Sequence, residues 1–495
     1  MALEKAKLAA RVGFELLRSG VIPLRPDHWL QMARAWRECG PSFAFLGRVA
    51  AARFPHEPAL QDEWGVLSYD QLNRQAEELA RFLKAEDKVE AGHKVAIIFS
   101  NHRGFVLSLL AVTRLGADVL PLNPRHHGPG LREILLREKV NLVLHEAEVE
   151  LDPDLPGRLW QTGLNAASQL PRTDRPGQLV VLTSGSTGVA KGIRRRPGLM
   201  ELLPVTAGLL RDLPLKMRRP TVLAIPFYHG YGIATLAMAL ALGSCLITNR
   251  RYRVGELLEL YRGEEPPLLV TVPTLLWRWQ RENETLPEVG AVITGSAPLK
   301  AGLCRELLDT LGPVLYNLYG ATETGLIALA TPEMLDLAPG CVGKPLPGNL
   351  VEVLGNASLG PLRVRGPLVL NPGLDGWRET GDLGRFDAHG YLHVLGRADS
   401  MIVSGGENVY PHELEEALSQ HPQVIEVAVL AVDDEEFGER LVAAVVAPEV
   451  SETELLRWLA ERLERFKIPR TIHSLERIPR NALGKVDRRT LRAML

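Results

Sequence analysis

The chain has 495 residues, too many for one compact core, so about two to four domains are expected. Hydrophobic residues make up 46% and charged residues 23%, a soluble globular balance that excludes a disordered or fibrous chain. The formal charge of -2 excludes a global polycation for nucleic acid, so an anionic ligand has to be held by local features.

The four cysteines, Cys39, Cys245, Cys304 and Cys341, lie far apart without CxxC spacing, which argues against a zinc site and against a disulfide framework. The N-terminus lacks an apolar h-region followed by a small-residue cleavage site, so it does not read as a secretory signal. A cytoplasmic protein with reduced thiols is the expectation.

Residues 1–40 form an extension of mixed basic and apolar character. Lys7, Arg11 and Arg18 share one helical face beside Leu8, Val12 and Leu16, whereas Phe14 and Leu17 fall off that stripe. Peripheral membrane contact is one reading; a helix packing on the body of the protein is the other, and the imperfect stripe favours it.

From Leu67 the chain alternates helical and strand patterns. Tyr69 to Lys84 reads as a helix with Ser68 as N-cap, followed by a strand Lys94–Phe99, a helix Phe105–Leu115 and a strand Ala117–Leu122. The alternation continues through strands at Leu179–Leu182, Thr221–Ile225, Leu268–Val272 and Ala291–Thr294. It predicts a large α/β domain of layered, mostly parallel sheets with flanking helices. Gly230 to Ile247 carries no charge and is barely long enough to span a bilayer; its glycines, Ser244 and lack of flanking basic anchors favour a buried helix running into a strand.

After Gly396 the pattern changes. A Gly-containing turn leads to a helix Pro411–Ser419, strands Val424–Val432 and Leu441–Val446, and a helix Glu452–Arg465. This is a small α+β module of about a hundred residues on a hinge. The expected organisation is an extension 1–40, a large domain 41–396 and a small mobile C-terminal domain 397–495.

Five segments carry chemistry. Leu182 to Gly192, LTSGSTGVAKG, follows a strand, and its small and hydroxyl residues let backbone N–H and side-chain O–H groups surround phosphate oxygens, with Lys191 adding charge. It is not a Walker A loop, because Ala190 precedes the lysine and Gly192 follows it. Tyr319 to Glu323, YGATE, offers an aromatic for a nucleobase, Thr322 as a phosphate donor and a carboxylate for Mg2+. Thr380 to Asp382, TGD, places a carboxylate on a turn, suited to ribose hydroxyls. Gly396 to Glu407, GRADSMIVSGGE, and Asn481 to Arg488, NALGKVDR, complete the set. Taken singly, each also admits a plainer reading: a flexible Ser/Gly turn, a core tyrosine, a surface carboxylate or a solvated lysine.

In this order the five resemble the adenylate-forming superfamily of acyl-CoA synthetases, adenylation domains and luciferases, over the chain from about Phe54 onward. The resemblance implies that Thr183, Ser184, Gly185, Ser186, Thr187, Gly188 and Lys191 wrap the pyrophosphate of ATP. It implies that Gly295, Ser296, Ala297 and Pro298 form the adenine-contacting turn, that Tyr319 stacks, and that Gly320 and Thr322 belong to the same nucleotide segment. Glu323 would hold Mg2+, with Thr183 as a second ligand, and Asp382 and Arg397 would hold the ribose. His229, in PFYHGYG, matches an aromatic or histidine position between acyl pocket and nucleotide; alone, beside an apolar helix, it also reads as a satisfied core histidine, and the motif context favours the functional reading. Lys485 matches the lysine that reaches the acyl carboxylate and the α-phosphate. Asp399 aligns with the hinge, and Gly405 and Gly406 with a turn lining the coenzyme A tunnel. Two departures stand out: Ala190 where proline is usual, and Arg194–Arg196 where a hydroxyl residue and histidine are common. That run contacts either phosphates or an acidic partner, or is a solvated turn.

The implied reaction uses ATP, Mg2+ and coenzyme A to convert a carboxylic acid to acyl-AMP and then to a thioester. Pro226–Ala241 contains no acidic partner for an amino-acid ammonium, which favours a fatty or aryl acid. A stand-alone loader of a carrier protein, a luciferase-like oxygenase and a nucleotide-binding homologue that has lost catalysis remain as alternatives. The oligomeric state is open, a homodimer being one option.

Overall fold

A computed structural model of the protein describes residues 12–22, 25–126, 128–161, 169–170, 172, 175–183, 191–195, 199–282, 287–355, 359–397, 402–404, 407–409, 411–434, 438–481 and 484–495. The chain forms two compact units. The first runs through Thr271 and includes Leu275–Thr294 and Leu346–Gly348; the second comprises Val272–Thr274, Gly295–Pro345 and Asn349–Leu495.

In the first unit, one sheet has the order Gly157–Leu159, Leu142–His145, Lys94–Ile98, Asp118–Leu122, Leu179–Thr183, Lys191–Arg195. Its neighbours are parallel except the last pair, which is antiparallel. The strands at its centre are near-continuous apolar runs, as expected where both faces are covered. Ala96, Ile98, Leu120, Leu122 and Val143 pack there against Leu131 and Leu135. A second set of strands in this unit runs Ala291–Gly295, Leu268–Thr271, Thr221–Leu223, Leu246–Ile247, Pro58–Asp62, Gly65–Ser68. It is parallel up to its final antiparallel pair. The predicted βα alternation is therefore present, with ends shifted by one or two residues.

The helix Tyr69–Ala85 begins at Ser68 in a capping box, in which the Ser68 hydroxyl accepts from the Gln71 N–H and the Gln71 side chain accepts from the Ser68 N–H. Tyr69 is buried, and its hydroxyl donates to the Ser244 carbonyl at 2.8 Å. The uncharged stretch from Gly230 is a helix, Gly230–Leu242, stopped by Gly243 in the left-handed region (φ 66) and followed by the strand Leu246–Ile247. Among the described residues no helix is long and apolar enough to cross a membrane. Val12 and Leu16 are buried against Ala207, Leu210 and Leu242, while Phe14 and Leu17 are exposed. The described part of the N-terminal extension thus packs on the body of its own unit.

The second unit holds an antiparallel hairpin, Leu315–Ala321 with Gly325–Ala330, and a four-stranded antiparallel sheet of Leu350–Val353, Gly360–Arg365, Arg378–Phe386 and Leu392–Arg397. The TGD segment expected on a turn lies inside the strand Arg378–Phe386. The strand tolerates it because pairing with Gly360–Arg365 skips from Glu379 to Leu383, and Gly381 takes φ 74 in that gap. The C-terminal α+β module follows, with the long antiparallel pair Glu426–Asp434 and Gly438–Val446 beside the helices Pro411–Ser419 and Glu452–Ala460. The helix from Glu452 ends five residues before the predicted Arg465. After Ala460 the chain turns so that Leu463 packs back on the cluster containing Leu455 and Leu459, and a 3-10 turn covers Arg465–Lys467.

A buried ionic network fixes one loop of the first unit. Glu146 accepts from the Ser100 N–H (3.1 Å) and hydroxyl (2.8 Å), and pairs with His102 Nε2 at 2.8 Å. The Gly104 N–H donates to His102 Nδ1 at 3.0 Å, which assigns the ring proton to Nε2, facing Glu146. Asn101 is held between these two anchors. Burial opposes ionisation of Glu146, but the bonds from His102 and Ser100 outweigh it and its pKa lies below the ordinary glutamate range. A folded-state pKa that is depressed contributes stability above the unfolded value and loses it as pH falls through the folded one. Glu146→Gln is therefore expected to cost about 1.5–3 kcal/mol at neutral pH. The urea midpoints of wild type and variant should converge as pH falls below the usual glutamate pKa of about 4.3. A difference that persists unchanged in acid would refute the ionic account.

Candidate active site

In the second unit the strand Leu315–Ala321 delivers Tyr319, the hairpin tip delivers Thr322 and Glu323, and the strands Arg378–Phe386 and Leu392–Arg397 deliver Asp382 and Arg397. The Tyr319 hydroxyl donates to Asp382 Oδ2 at 2.6 Å, and Arg397 Nη1 donates to Asp382 Oδ1 at 3.2 Å and to the Thr380 carbonyl at 3.1 Å. The Asp382 N–H donates to the Thr380 hydroxyl at 3.0 Å, fixing the bulge that aims the carboxylate. Burial raises the Asp382 pKa, against the Tyr319 bond and the Arg397 charge. Tyr319 is pushed up as well, by burial first and by the neighbouring Asp382 charge second. A carboxylate offers about four lone-pair directions. Tyr319 and Arg397 use two, which leaves acceptors for a pair of ligand hydroxyls.

Glycine is required where backbones close in on this cluster. A Cβ on Gly320 would lie 2.4 Å from the Gly325 carbonyl oxygen across the hairpin. Gly295 ends the strand Ala291–Gly295 and is followed by Ser296 at φ 64, a left-handed conformation that costs a serine about 1 kcal/mol or more. This strained turn carries Ala297 and Pro298 and leads into the helix Ala301–Leu311.

Lys485 joins the same cluster from the far end of the chain. Part of its side chain stays open to solvent. Burial of the ammonium lowers its pKa, while Asp382 and Glu323 pull it up and Arg397 pushes it down. These three charges are the electrostatic neighbours of the lysine. Glu323 is half-buried, and its carbonyl accepts from the Leu370 N–H at 2.8 Å. Among the described residues no cluster of three or more His, Cys, Asp or Glu could hold a metal by itself. The donor set therefore suits an ion such as Mg2+, which takes one carboxylate and completes its shell with phosphate and water oxygens.

In the first unit, Thr183 ends one strand and Lys191 begins its antiparallel neighbour, and the two are register partners at the neck of the predicted phosphate loop. Ser184, Gly185, Ser186, Thr187 and Gly188 lie outside the described residues, as do Arg196, Asp399, Gly405 and Gly406; Arg194 and Arg195 continue the Lys191 strand. His229 is the N-cap of the helix Gly230–Leu242, its ring 4.5 Å from that of the buried Tyr228. Burial pushes the Tyr228 hydroxyl up to about 12. Asn101, which sequence reasoning missed, clamps the segment before His229: its Nδ2 donates to the Ile225 carbonyl and its Oδ1 accepts from the Phe227 N–H, both at 2.7 Å. The available signal was a polar Ser-Asn-His triplet at the end of a buried strand. Arg480 was also missed, although it directly precedes the NALGK segment.

The family model described as AMP-binding enzyme matches residues 47–371, and that described as AMP-binding enzyme C-terminal domain matches residues 413–485. An indoleacetate–CoA ligase of Aromatoleum aromaticum is 31% identical over 90% of this chain and 95% of its own length. A feruloyl-CoA synthase of an Amycolatopsis species is 31% identical over 87% and 94%. The solved o-succinylbenzoate CoA synthetase of Bacillus subtilis with its acyl-adenylate intermediate superposes with TM-score 0.79 at 26% identity, covering 90% of this chain and 97% of that one. Its complex with ATP and magnesium gives TM-score 0.79 at 25% identity over 90% and 99%. With a large α/β part and a small C-terminal module both matched, the chain belongs to the AMP-binding enzyme family.

Proposed function

We infer that the protein is an AMP-forming acid–thiol ligase that activates an aryl carboxylic acid with ATP and transfers the acyl group to coenzyme A. The observation that carries this reading is the electrostatic grouping of Lys485 with Asp382, Arg397 and Glu323. A protein that only bound a nucleotide would gain little from a cation brought to this cluster from residue 485.

In the first step a carboxylate oxygen of the acid attacks the α-phosphorus of ATP. The bond from that phosphorus to the bridging oxygen breaks, and pyrophosphate leaves with the electron pair. Two anions meet in this reaction, and charge builds on the phosphoryl oxygens in the transition state. The Lys485 ammonium offsets both. Mg2+, when bound, would sit on Glu323 and neutralise triphosphate charge. Asp382 accepts from ribose hydroxyls, with Tyr319 and Arg397 holding its orientation, and the loop between Thr183 and Lys191 holds pyrophosphate. In the second step the thiol sulfur attacks the acyl carbon, the bond to the AMP oxygen breaks, and the thiol proton is released.

The aryl class is supported by the names of the relatives, which include indoleacetate and ferulate ligases, and by the uncharged segment from Pro226 to Ala241. Those names also favour coenzyme A over a carrier protein as acceptor. A cytoplasmic setting belongs to the same proposal, since both co-substrates are cytoplasmic metabolites.

Pyrophosphate release measured with ATP and Mg2+ across benzoate, phenylacetate, indole-3-acetate, ferulate, octanoate and an amino acid should be fastest with an aromatic acid. It should become catalytic only when coenzyme A is added. Release with octanoate alone would overturn the aryl assignment, and release indifferent to coenzyme A would overturn the ligase. Lys485→Ala should slow pyrophosphate release by about a hundredfold or more, with a much smaller effect on thioester formation from supplied acyl-adenylate. Equal loss in both steps would remove Lys485 from its assigned role. Tyr319→Phe keeps the ring but loses the bond to Asp382, so KM for ATP should rise by up to about tenfold at nearly constant kcat. An unchanged KM would mean that the hydroxyl does not orient the ribose carboxylate.

A further inference from the structure

Lys485 can serve adenylation only if its loop is brought to the cluster and held there. The loop has an internal framework. An antiparallel bridge joins Arg480 and Val486, the Asn481 N–H donates to the Lys485 carbonyl at 2.8 Å, and the Lys485 N–H donates to Asn481 Oδ1 at 3.1 Å. Gly484 sits at the bend with φ 71, and its carbonyl accepts twice. One donor is Arg480 Nη1 at 2.8 Å, and Arg480 is itself fixed by two bonds to Glu426 Oε2 at 3.2 and 2.9 Å. These partners all belong to the C-terminal module, so they shape the loop without placing it. The second donor is different: the Thr274 hydroxyl, 210 residues away in sequence, at 3.0 Å.

Thr274 lies in the first turn of the helix Pro273–Arg281, outside the C-terminal module and within the same compact unit as Tyr319, Glu323 and Asp382. The approach is close enough that a Cβ on Gly484 would fall 2.6 Å from the Thr274 hydroxyl oxygen and 2.7 Å from its Cβ. We propose that Thr274 is a positioning residue for adenylation, its hydroxyl latching the Gly484 carbonyl so that Lys485 is presented to the carboxylate and the α-phosphate. This rests on the adenylation reading above. The second step needs no such latch, because pyrophosphate has gone and no triphosphate charge remains to be countered. Thr274 therefore acts on one half-reaction of the two.

The test uses the full-length protein as wild type, Thr274→Val and Thr274→Ser, with the fastest acid of the panel. Single-turnover pyrophosphate release reports the first step, and thioester formation from supplied acyl-adenylate and coenzyme A reports the second. Thr274→Val, which keeps the shape and loses the donor, should slow the first step about tenfold at an unchanged KM for ATP and leave the second at or above the wild-type rate. Thr274→Ser should restore the first step to within about twofold. Wild-type adenylation by Thr274→Val, or an equal fall in both steps, would overturn the latch. A wild type that releases no pyrophosphate with any acid would instead overturn the adenylation reading, and the latch with it.

Discussion

Asp382 is a carboxylate largely withdrawn from water at a kink in a strand, and much of the second unit can be understood as an answer to that withdrawal. An isolated buried carboxylate would protonate. Here the Tyr319 hydroxyl and the Arg397 guanidinium each take one of its oxygens, while the Thr380 hydroxyl pins its backbone. The strained turn after Gly295 and the close hairpin contact at Gly320 bring rigid backbone to the same place. Each partner that opposes protonation of the carboxylate also keeps it pointed, so electrostatics and orientation are served by the same bonds.

The first unit solves a similar problem with a different cast. Glu146 is buried and ionised, and the groups that hold it, Ser100 and His102, flank Asn101 on both sides. The stabilised charge sets the course of a loop, and the loop in turn holds the backbone of Ile225–Phe227 through two short hydrogen bonds of the Asn101 side chain. Tyr228 and His229 follow immediately. The position of His229 at a helix N-terminus thus depends on an acidic residue far from it in sequence.

How much of this was legible beforehand follows from how each feature is encoded. The parallel strands are apolar runs such as KVAII, and the helix Tyr69–Ala85 carries its own capping signal, so both could be read directly. The four-stranded antiparallel sheet was not. Its strands carry Gly, Pro, Arg and Glu, and bury mainly the face of Leu362 and Val364, while Arg363 and Glu352 pair on the other. Thr, Gly and Asp favour a turn locally, so TGD reads as one; tertiary pairing instead folds it into a bulged strand. Tyr319, Asp382, Arg397 and Lys485 could be singled out as candidates because their motifs stand in a fixed order along the chain. Asn101, Thr274 and Arg480 could not, because their importance lies in carbonyls and amides that only folding brings to them.

Along the central strands of the C-terminal module side chains alternate: Val427, Val429, Ala443 and Val445 pack beneath the helices Pro411–Ser419 and Glu452–Ala460, whereas Ala428, Leu430 and Ala444 pack with Ile478 and with Leu491 of the helix Arg488–Met494. Both faces of the sheet are thus covered by the module's own residues. A piece of chain that seals its own interior can be exchanged without exposing its own core. Ile478 and Leu491, on either side of the Lys485 loop, belong to that sealed sheet, so the loop and its lysine form one piece with the module.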